Sequence, residues 1–444
     1  MAKNNYFNDI KAIKYEGPTS DNPLAFKYYN PKRKIGGKTM EQHLKFAVAY
    51  WHTFKGTGSD PFGGAVYDRP WDHGSDPMDI AHKTMDAAFE FMSKLGVNYW
   101  CFHDRDIAPE GASVKESQRN LEAVVDQAAR LQKATGIQLL WGTANVFSHP
   151  RYTHGAATNP DPLVFAHAAA QVRRAMDATV ALKGTGYVFW GGREGYVSLV
   201  NTNMKHEREQ FARMLHYAVD YGKKIGFKGK FFIEPKPKEP SVHQYDFDSA
   251  TVIGFLREFN LLDHFQINVE ANHATLATHS FRHELQVASD AGLLGSLDIN
   301  RGDMTVGWDT DQFPTDIYDA VWAMVIILKQ KGLKHGGLNF DAKVRRGSFD
   351  AVDLFHAHIG GMDTFARGLV IAHAMLKEGA IDAFISERYK GYRSGMGRKI
   401  MAGKASLPQL EAYATRQGEP ARISGRQELL ENIVNEYILG GRAL

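Results

Sequence analysis

Six carboxylates and one histidine fall in short motifs along the second half of the 444-residue chain. Glu234 opens Glu234-Pro235-Lys236, and Glu270 and His273 bracket Glu270-Ala271-Asn272-His273. Asp298 stands alone, Asp309 and Asp311 lie in Gly307-Trp308-Asp309-Thr310-Asp311-Gln312-Phe313-Pro314, and Asp341 closes Gly337-Leu338-Asn339-Phe340-Asp341. Each lies near a short apolar run, where a strand would end. Carboxylates this dense repel one another unless a cation neutralises them. Oxygen ligands with a single imidazole suit Mg2+, Mn2+ or Co2+ better than a thiolate-loving metal. The motifs therefore predict a two-metal site.

The spacing of individual residues refines this chemistry. Glu234 and Lys236 are two apart, so on an extended segment both point into one cavity. There the lysine could polarise a carbonyl or form a structural ion pair. Asp309 and Asp311 share a face by the same reasoning. Glu270 and His273 become neighbours if the strand gives way to a helical turn. His103 and Asp106, in Cys101-Phe102-His103-Asp104-Arg105-Asp106, form a second constellation. A carboxylate on one imidazole nitrogen fixes the tautomer and leaves the other as acid or base. Trp51, Phe62, Phe147 and Trp190 would supply apolar walls. Gly184-Thr185-Gly186 lacks the third glycine of a dinucleotide fingerprint, so no nucleotide cofactor is implied.

Elements that place these residues together follow from the alternation of apolar runs and helical periodicity, the pattern of an α/β protein with a parallel sheet. The expected strands are Phe46–Trp51, Tyr99–His103, Gln138–Gly142, Tyr187–Trp190, Lys230–Glu234, Phe265–Glu270, Leu294–Asp298 and Leu338–Asp341. That is the number that closes a (β/α)8 TIM barrel. Trp51, His103, Thr143, Trp190, Glu234, Glu270, Asp298 and Asp341 then sit at or just past carboxyl ends, the face where barrel enzymes carry their sites. Helices are expected at Ala81–Lys94, Val114–Ala134, Val164–Leu182, Met204–Lys224 and Ala250–Glu258, the last capped by Asp248. The first forty or so residues read as an N-terminal extension wrapped on the surface. Residues 1–379 are expected to form extension plus barrel, and 380–444 a basic, helical C-terminal arm, with Ser406 and Gln409 as a capping box. An arm for subunit contacts, or a solvated face, is favoured for that stretch over a nucleic-acid patch.

Composition bounds the class. Hydrophobic residues make up 43% and charged residues 23%, ordinary for a soluble protein. A net charge of +3 argues against nucleic acid or an anionic membrane as partner. One cysteine, Cys101, precludes an internal disulfide framework and suits a reducing compartment. The amino-terminal residues carry no apolar signal core, so a cytoplasmic enzyme is expected.

At its motifs the chain resembles the D-xylose isomerase family, in its longer-chain class with an N-terminal extension. The resemblance runs through Phe102–Gly111, Thr143–Pro150, Phe232–Pro237, Asn268–Ala274 and Trp308–Pro314, and covers essentially the whole sequence. It implies isomerisation of D-xylose to D-xylulose, and of D-glucose to D-fructose, by ring opening and a 1,2-hydride shift. Two divalent ions per subunit are implied, one held by Glu234, Glu270, Asp298 and Asp341. Glu270 would bridge to the other, completed by His273, Asp309 and Asp311. His103, oriented by Asp106, would open the sugar ring, and Lys236 would bind the aldehyde oxygen. Thr143, Trp51 and Trp190 would line the sugar site. Asp60-Pro61-Phe62-Gly63 resembles the loop whose Phe reaches a neighbouring subunit's site, implying a homotetramer.

Two other classes fit these residues less well. A metal-dependent phosphodiesterase of DNA repair on a similar barrel would call for more histidines at the metals and a basic face. A silent sugar-binding protein would not need Lys236, the second ligand set or the His103–Asp106 pair.

Overall fold

The structure is a computed structural model that describes residues 5–440. Eight parallel strands close into a barrel: β1 (Phe46–Ala49), β2 (Tyr99–His103), β3 (Gln138–Thr143), β4 (Gly186–Trp190), β5 (Lys230–Glu234), β6 (Phe265–Glu270), β7 (Leu294–Asp298) and β8 (Leu338–Phe340). Each is followed by a long helix: α1 (Pro77–Leu95), α2 (Val114–Thr135), α3 (Pro162–Ala181), α4 (Met204–Ile225), α5 (Ser249–Glu258), α6 (Phe281–Asp290), α7 (Ile317–Lys329) and α8 (Ala351–Glu378). This is the expected (β/α)8 TIM barrel. The chain divides into two compact units, Met1–Arg367 and Gly368–Leu444.

Local chemistry sets the helix limits. Asp76 accepts from Met78 N at 2.9 Å and Pro77 opens α1, so the helix starts ahead of the apolar stripe that signalled it. Gly96, at φ 77°, ends it in the left-handed conformation that a Cβ would disfavour. Asp248 caps α5 as expected, accepting from Thr251 N at 2.7 Å. The barrel interior is filled by Ala47, Cys101, Leu140, Trp141, Val188 and Phe232, a packed core rather than a pore.

Register levels the strand ends. Glu234 lies opposite Trp190, His103 opposite Thr143, and Glu270 opposite Asp298, which lies opposite Asn339. Parallel pairing thus puts four strand-end residues that carry charge or an imidazole on one rim.

Two expectations need correction. The first strand stops at Ala49 instead of running to Trp51, because Trp51–Lys55 form one turn of π-helix. A strand would send Trp51 and His52 to opposite faces; the π-turn brings both into the same cavity. The extension, in turn, is anchored rather than merely laid on the surface. Phe7, Phe26 and Tyr29 are buried, and the Phe7 ring packs on Trp71, Phe91 and Phe355 at 5.4–5.7 Å.

Asp363 ties down the same segment, accepting from the N–H groups of Lys27, Tyr28 and Tyr29 at 2.7–2.9 Å. Asp363→Ala leaves three amide donors without their charged acceptor. The expected loss is about 2–4 kcal/mol of stability in denaturant titration. Faster proteolysis within the first forty residues should accompany it. An unchanged midpoint with an unchanged cleavage pattern would contradict this anchoring role.

The second unit contains Ala380–Arg388, Gly395–Met401, Leu407–Gln417 and Gln427–Leu439 as its further α-helices. The Gln409 side chain accepts from Ser406 N at 3.1 Å, as the capping-box reading expects. Tyr389, Tyr392, Met401, Leu407, Ile423 and Leu429 are exposed. Among the described residues no helix is long and apolar enough to cross a membrane.

Candidate active site

A cavity of about 260 Å³ opens at the carboxyl ends of the strands. It gathers His103, Asp106, Thr143, Phe147, Trp190, Trp51, Lys236 and every acidic motif residue except Asp298, which lies deeper. Ligand-type oxygens of Glu234, Glu270, Asp298 and Asp341 lie within 4.8 Å of one another. So do those of Glu270, Asp309 and Asp311, and the donor atoms of Glu234, Glu270 and His273. Glu270 belongs to all three groups. His273 follows it on the short helix Ala271–Leu276, the turn that the Glu-x-x-His spacing anticipated. Its Nδ1 lies 3.1 Å from Glu270 Oε2 and its Nε2 3.3 Å from Asp309 Oδ2.

These residues fit divalent cations. Burial, then the charges of neighbouring carboxylates, holds Glu234 and Glu270 well above the usual carboxylate range. Burial and the charge of Asp341 push Asp298 up to about 7. His273 Nδ1 is buried and lacks an aligned hydrogen bond. Such a set is short of positive charge, and the donors are hard oxygens plus one imidazole, the chemistry of Mg2+ or Mn2+ sites.

Two family models match the chain: a xylose isomerase-like TIM barrel over residues 89–307 and a XylA2 C-terminal domain over residues 385–438. The xylose isomerase of Geobacillus stearothermophilus is 57% identical over 434 residues, 98% of each chain. Xylose isomerase 1 of Xanthomonas axonopodis pv. citri is 59% identical over 433 residues, again 98% of each chain. The chain belongs to the xylose isomerase family. It is therefore an aldose–ketose isomerase, and the implied use of divalent metal agrees with the acidic clusters. The barrel also resembles D-psicose 3-epimerase of Clostridium cellulolyticum H10 at 12% identity, with a TM-score of 0.50 over 73% of this chain and 99% of that one.

An aromatic row lines the same cavity, and its Trp51 Nε1 donates to Asp341 Oδ1 at 2.8 Å. Ring centroids of Trp51 and His103 are 4.2 Å apart, His103 and Phe147 5.6 Å, and Phe147 and Trp190 4.4 Å. His103 Nδ1 meets Asp106 Oδ2 at 2.6 Å, which leaves Nε2 for other work. Thr143 Oγ1 donates to Val188 O at 2.6 Å, so its lone pairs remain as acceptors. Lys236 is buried, 2.5 Å from Asp309 Oδ2 and 5.2 Å from the Trp190 ring centroid. Burial opposes its charge, but Asp309 outweighs burial and raises its pKa, so the ammonium persists. Phe62 is not among the cavity's residues; it is 83% exposed, with its ring 5.8 Å from Trp308.

Asp309 and Asp311 share the cavity, yet not by strand alternation. Asp311 adopts φ 42°, a left-handed conformation unusual outside glycine. The residues around it are held by paired bonds between Arg301 and Gln312.

Sequence reasoning missed a layer behind the acids. Asn268 Nδ2 donates to Glu234 at 3.0 Å and Asp298 at 2.7 Å, Asn339 Nδ2 to Asp298 at 2.8 Å, and Asn300 Nδ2 to Glu270 at 2.7 Å. Asn272 donates to Asp309 and Lys343 to Asp311. His52 was missed as well: Nε2 lies 3.0 Å from Asp341 and 3.2 Å from Asp311. Burial works against its charge, but those two carboxylates overcome it and push the imidazole up to about 9. The signal available for the amides was spacing, since Asn268 and Asn339 each precede an acid by two residues and Asn300 follows one by two.

Proposed function

We propose that this cavity converts D-xylose to D-xylulose, and D-glucose to D-fructose, by ring opening followed by a 1,2-hydride shift. The observation that carries the reading is Glu270 shared between two acidic clusters, in one cavity with an aromatic row that contains His103 and ends beside Lys236. Glu234, Glu270, Asp298 and Asp341 would hold one divalent ion; Glu270, His273, Asp309 and Asp311 would hold the second. Bound there, the two cations supply Lewis-acid polarisation of substrate oxygens.

The chain's own residues account for the remaining steps. Asp106 keeps His103 with its proton on Nδ1, so Nε2 takes the anomeric hydroxyl proton and returns one to the ring oxygen as the C1–O bond breaks. Lys236 donates to the aldehyde oxygen and stabilises charge growing there. Phe147 and Trp190 keep water from the reacting carbons, so the C2 hydrogen passes to C1 with its electron pair. Trp51 and Thr143 shape the sugar's seat. Phe62, exposed on its loop, would complete a neighbouring subunit's site, and the arm of residues 380–444, with its exposed apolar side chains, would supply subunit contacts in a homotetramer. A single cysteine suits a reducing compartment such as the cytoplasm.

Hydrogen tracing tests the mechanism. The carboxylates of the cavity belong to the proposed ligand sets, apart from Asp106, which is engaged by His103. No spare carboxylate is left there to exchange the C2 hydrogen with water. Xylose deuterated at C2 and turned over in ordinary water is expected to give xylulose labelled at C1. Washing of the label into solvent would replace this route with an enediol and a base elsewhere.

A further inference from the structure

We propose a third metal site, outside the sugar cavity, formed by His279, His283 and Glu284, that takes a borderline transition cation such as Zn2+. Donor atoms of the three residues lie within 4.8 Å of one another. His279 Nδ1 is 2.6 Å from Glu284 Oε1, and the two imidazole rings stand 4.8 Å apart, edge to face at 72°. Two imidazoles and one carboxylate are a recurrent three-residue zinc set, with the fourth position left for water.

The carboxylate is already fixed for this task. Glu284 is buried, and its second oxygen accepts from Ser249 N at 2.8 Å, the kind of outer bond that orients a ligand. The imidazoles face the opposite way: His283 is exposed and the His279 side chain is 30% exposed, so an ion can enter from solvent. A proton now joins His279 to Glu284. Replacing it with a cation requires those two atoms to part by less than about 1 Å, since donors around four-coordinate zinc at bonds of about 2.0–2.1 Å stand roughly 3.4 Å apart. The exposed His283 side chain swings inward to close the set.

Selectivity separates this site from the cavity. Mg2+ prefers oxygen ligands in an octahedron and holds its waters, so a pair of imidazoles offers it little. Zn2+ has the opposite preference. The ion would also clamp the start of α6 to the turn after Ala271–Leu276, because His279 N donates to Ala274 O at 2.9 Å. That short helix carries His273.

Zinc content gives the test. Full-length protein is equilibrated with Zn2+, desalted and analysed for metal, beside His283→Asn and Glu284→Gln. Each variant is expected to hold one zinc fewer per subunit than the parent. His283→Asn should keep its Mg2+-dependent isomerase activity. Zinc-edge anomalous diffraction of the parent should place a peak among the three side chains. Equal zinc content in parent and His283→Asn, or anomalous peaks confined to the sugar cavity, would overturn the proposal. If Glu284→Gln does not fold, the exposed His283 position still decides the question.

Discussion

Chelating divalent metal is expected to abolish turnover completely and to lower the melting temperature, and the two effects should return together on adding Mg2+, Mn2+ or Co2+. Without a cation the cavity and Asp298 beneath it keep six carboxylates together, offset in part by Lys236, His52, His273 and Lys343. An ion bound only by the folded state stabilises it by about 2.7 kcal/mol when present at a hundredfold over its dissociation constant. Unfolding 444 residues at roughly 2.1 cal/mol/K each corresponds to about 3 °C per ion. Two ions therefore predict a shift of about 6 °C.

The pH dependence of that shift has a definite sign. In the metal-free protein Asp298 is raised from 3.8 to about 7, and Glu234 and Glu270 are raised above 4.5. The folded state then binds more protons than the unfolded chain, so its stability is full below the unfolded pKa values and declines as pH rises through the folded ones. Metal binding removes that penalty, so the gap between loaded and stripped protein should widen from about pH 5 to above pH 7. Metal affinity itself weakens in acid, because ligands must be deprotonated to bind. Scanning calorimetry of both forms across this range checks the sign. A constant gap, or activity that survives exhaustive chelation with no metal by elemental analysis, would remove the two-metal reading.

The acids were legible because the barrel aligns them. Glu234, Glu270 and Asp298 are the last residues of their strands, and Asp341 follows β8 directly. A residue that terminates an apolar run in a parallel barrel must reach the active rim, so sequence position alone places it. Long helices were legible for a similar reason, since their apolar stripes persist for several turns. Backbone irregularities were not. The π-turn at Trp51–Lys55 and the left-handed Asp311 break the local periods on which such readings depend. Phe7 and Asp363 escaped because their partners are distant in sequence; no local pattern links Asp363 to the amides of residues 27–29. The asparagine layer lies between: its spacing was visible, but an amide two residues from an acid has no meaning until the strands pair.

Replacing His103 by Asn is expected to slow turnover of cyclic xylose by ten- to ten-thousand-fold while leaving metal content unchanged, the range for a positioned acid–base group. In activation terms this is about 1.4–5.5 kcal/mol. The imidazole belongs to none of the clustered donor sets among the described residues, so its loss removes no proposed ligand. It is gripped at Nδ1 by Asp106 at 2.6 Å and packs tilted against Trp51, so Asn would leave neighbouring rings in place while deleting the free nitrogen. The step lost is the coupled transfer of a proton from the anomeric hydroxyl and to the ring oxygen. Asp106→Asn should have a smaller effect in the same direction, because it frees the tautomer without removing the base. A three-carbon aldose separates ring opening from isomerisation, since glyceraldehyde cannot close a five- or six-membered ring. His103→Asn should therefore be severely impaired on xylose and close to the parent on glyceraldehyde. Equal impairment on both would make His103 part of hydrogen transfer, and loss of bound metal would make it a ligand.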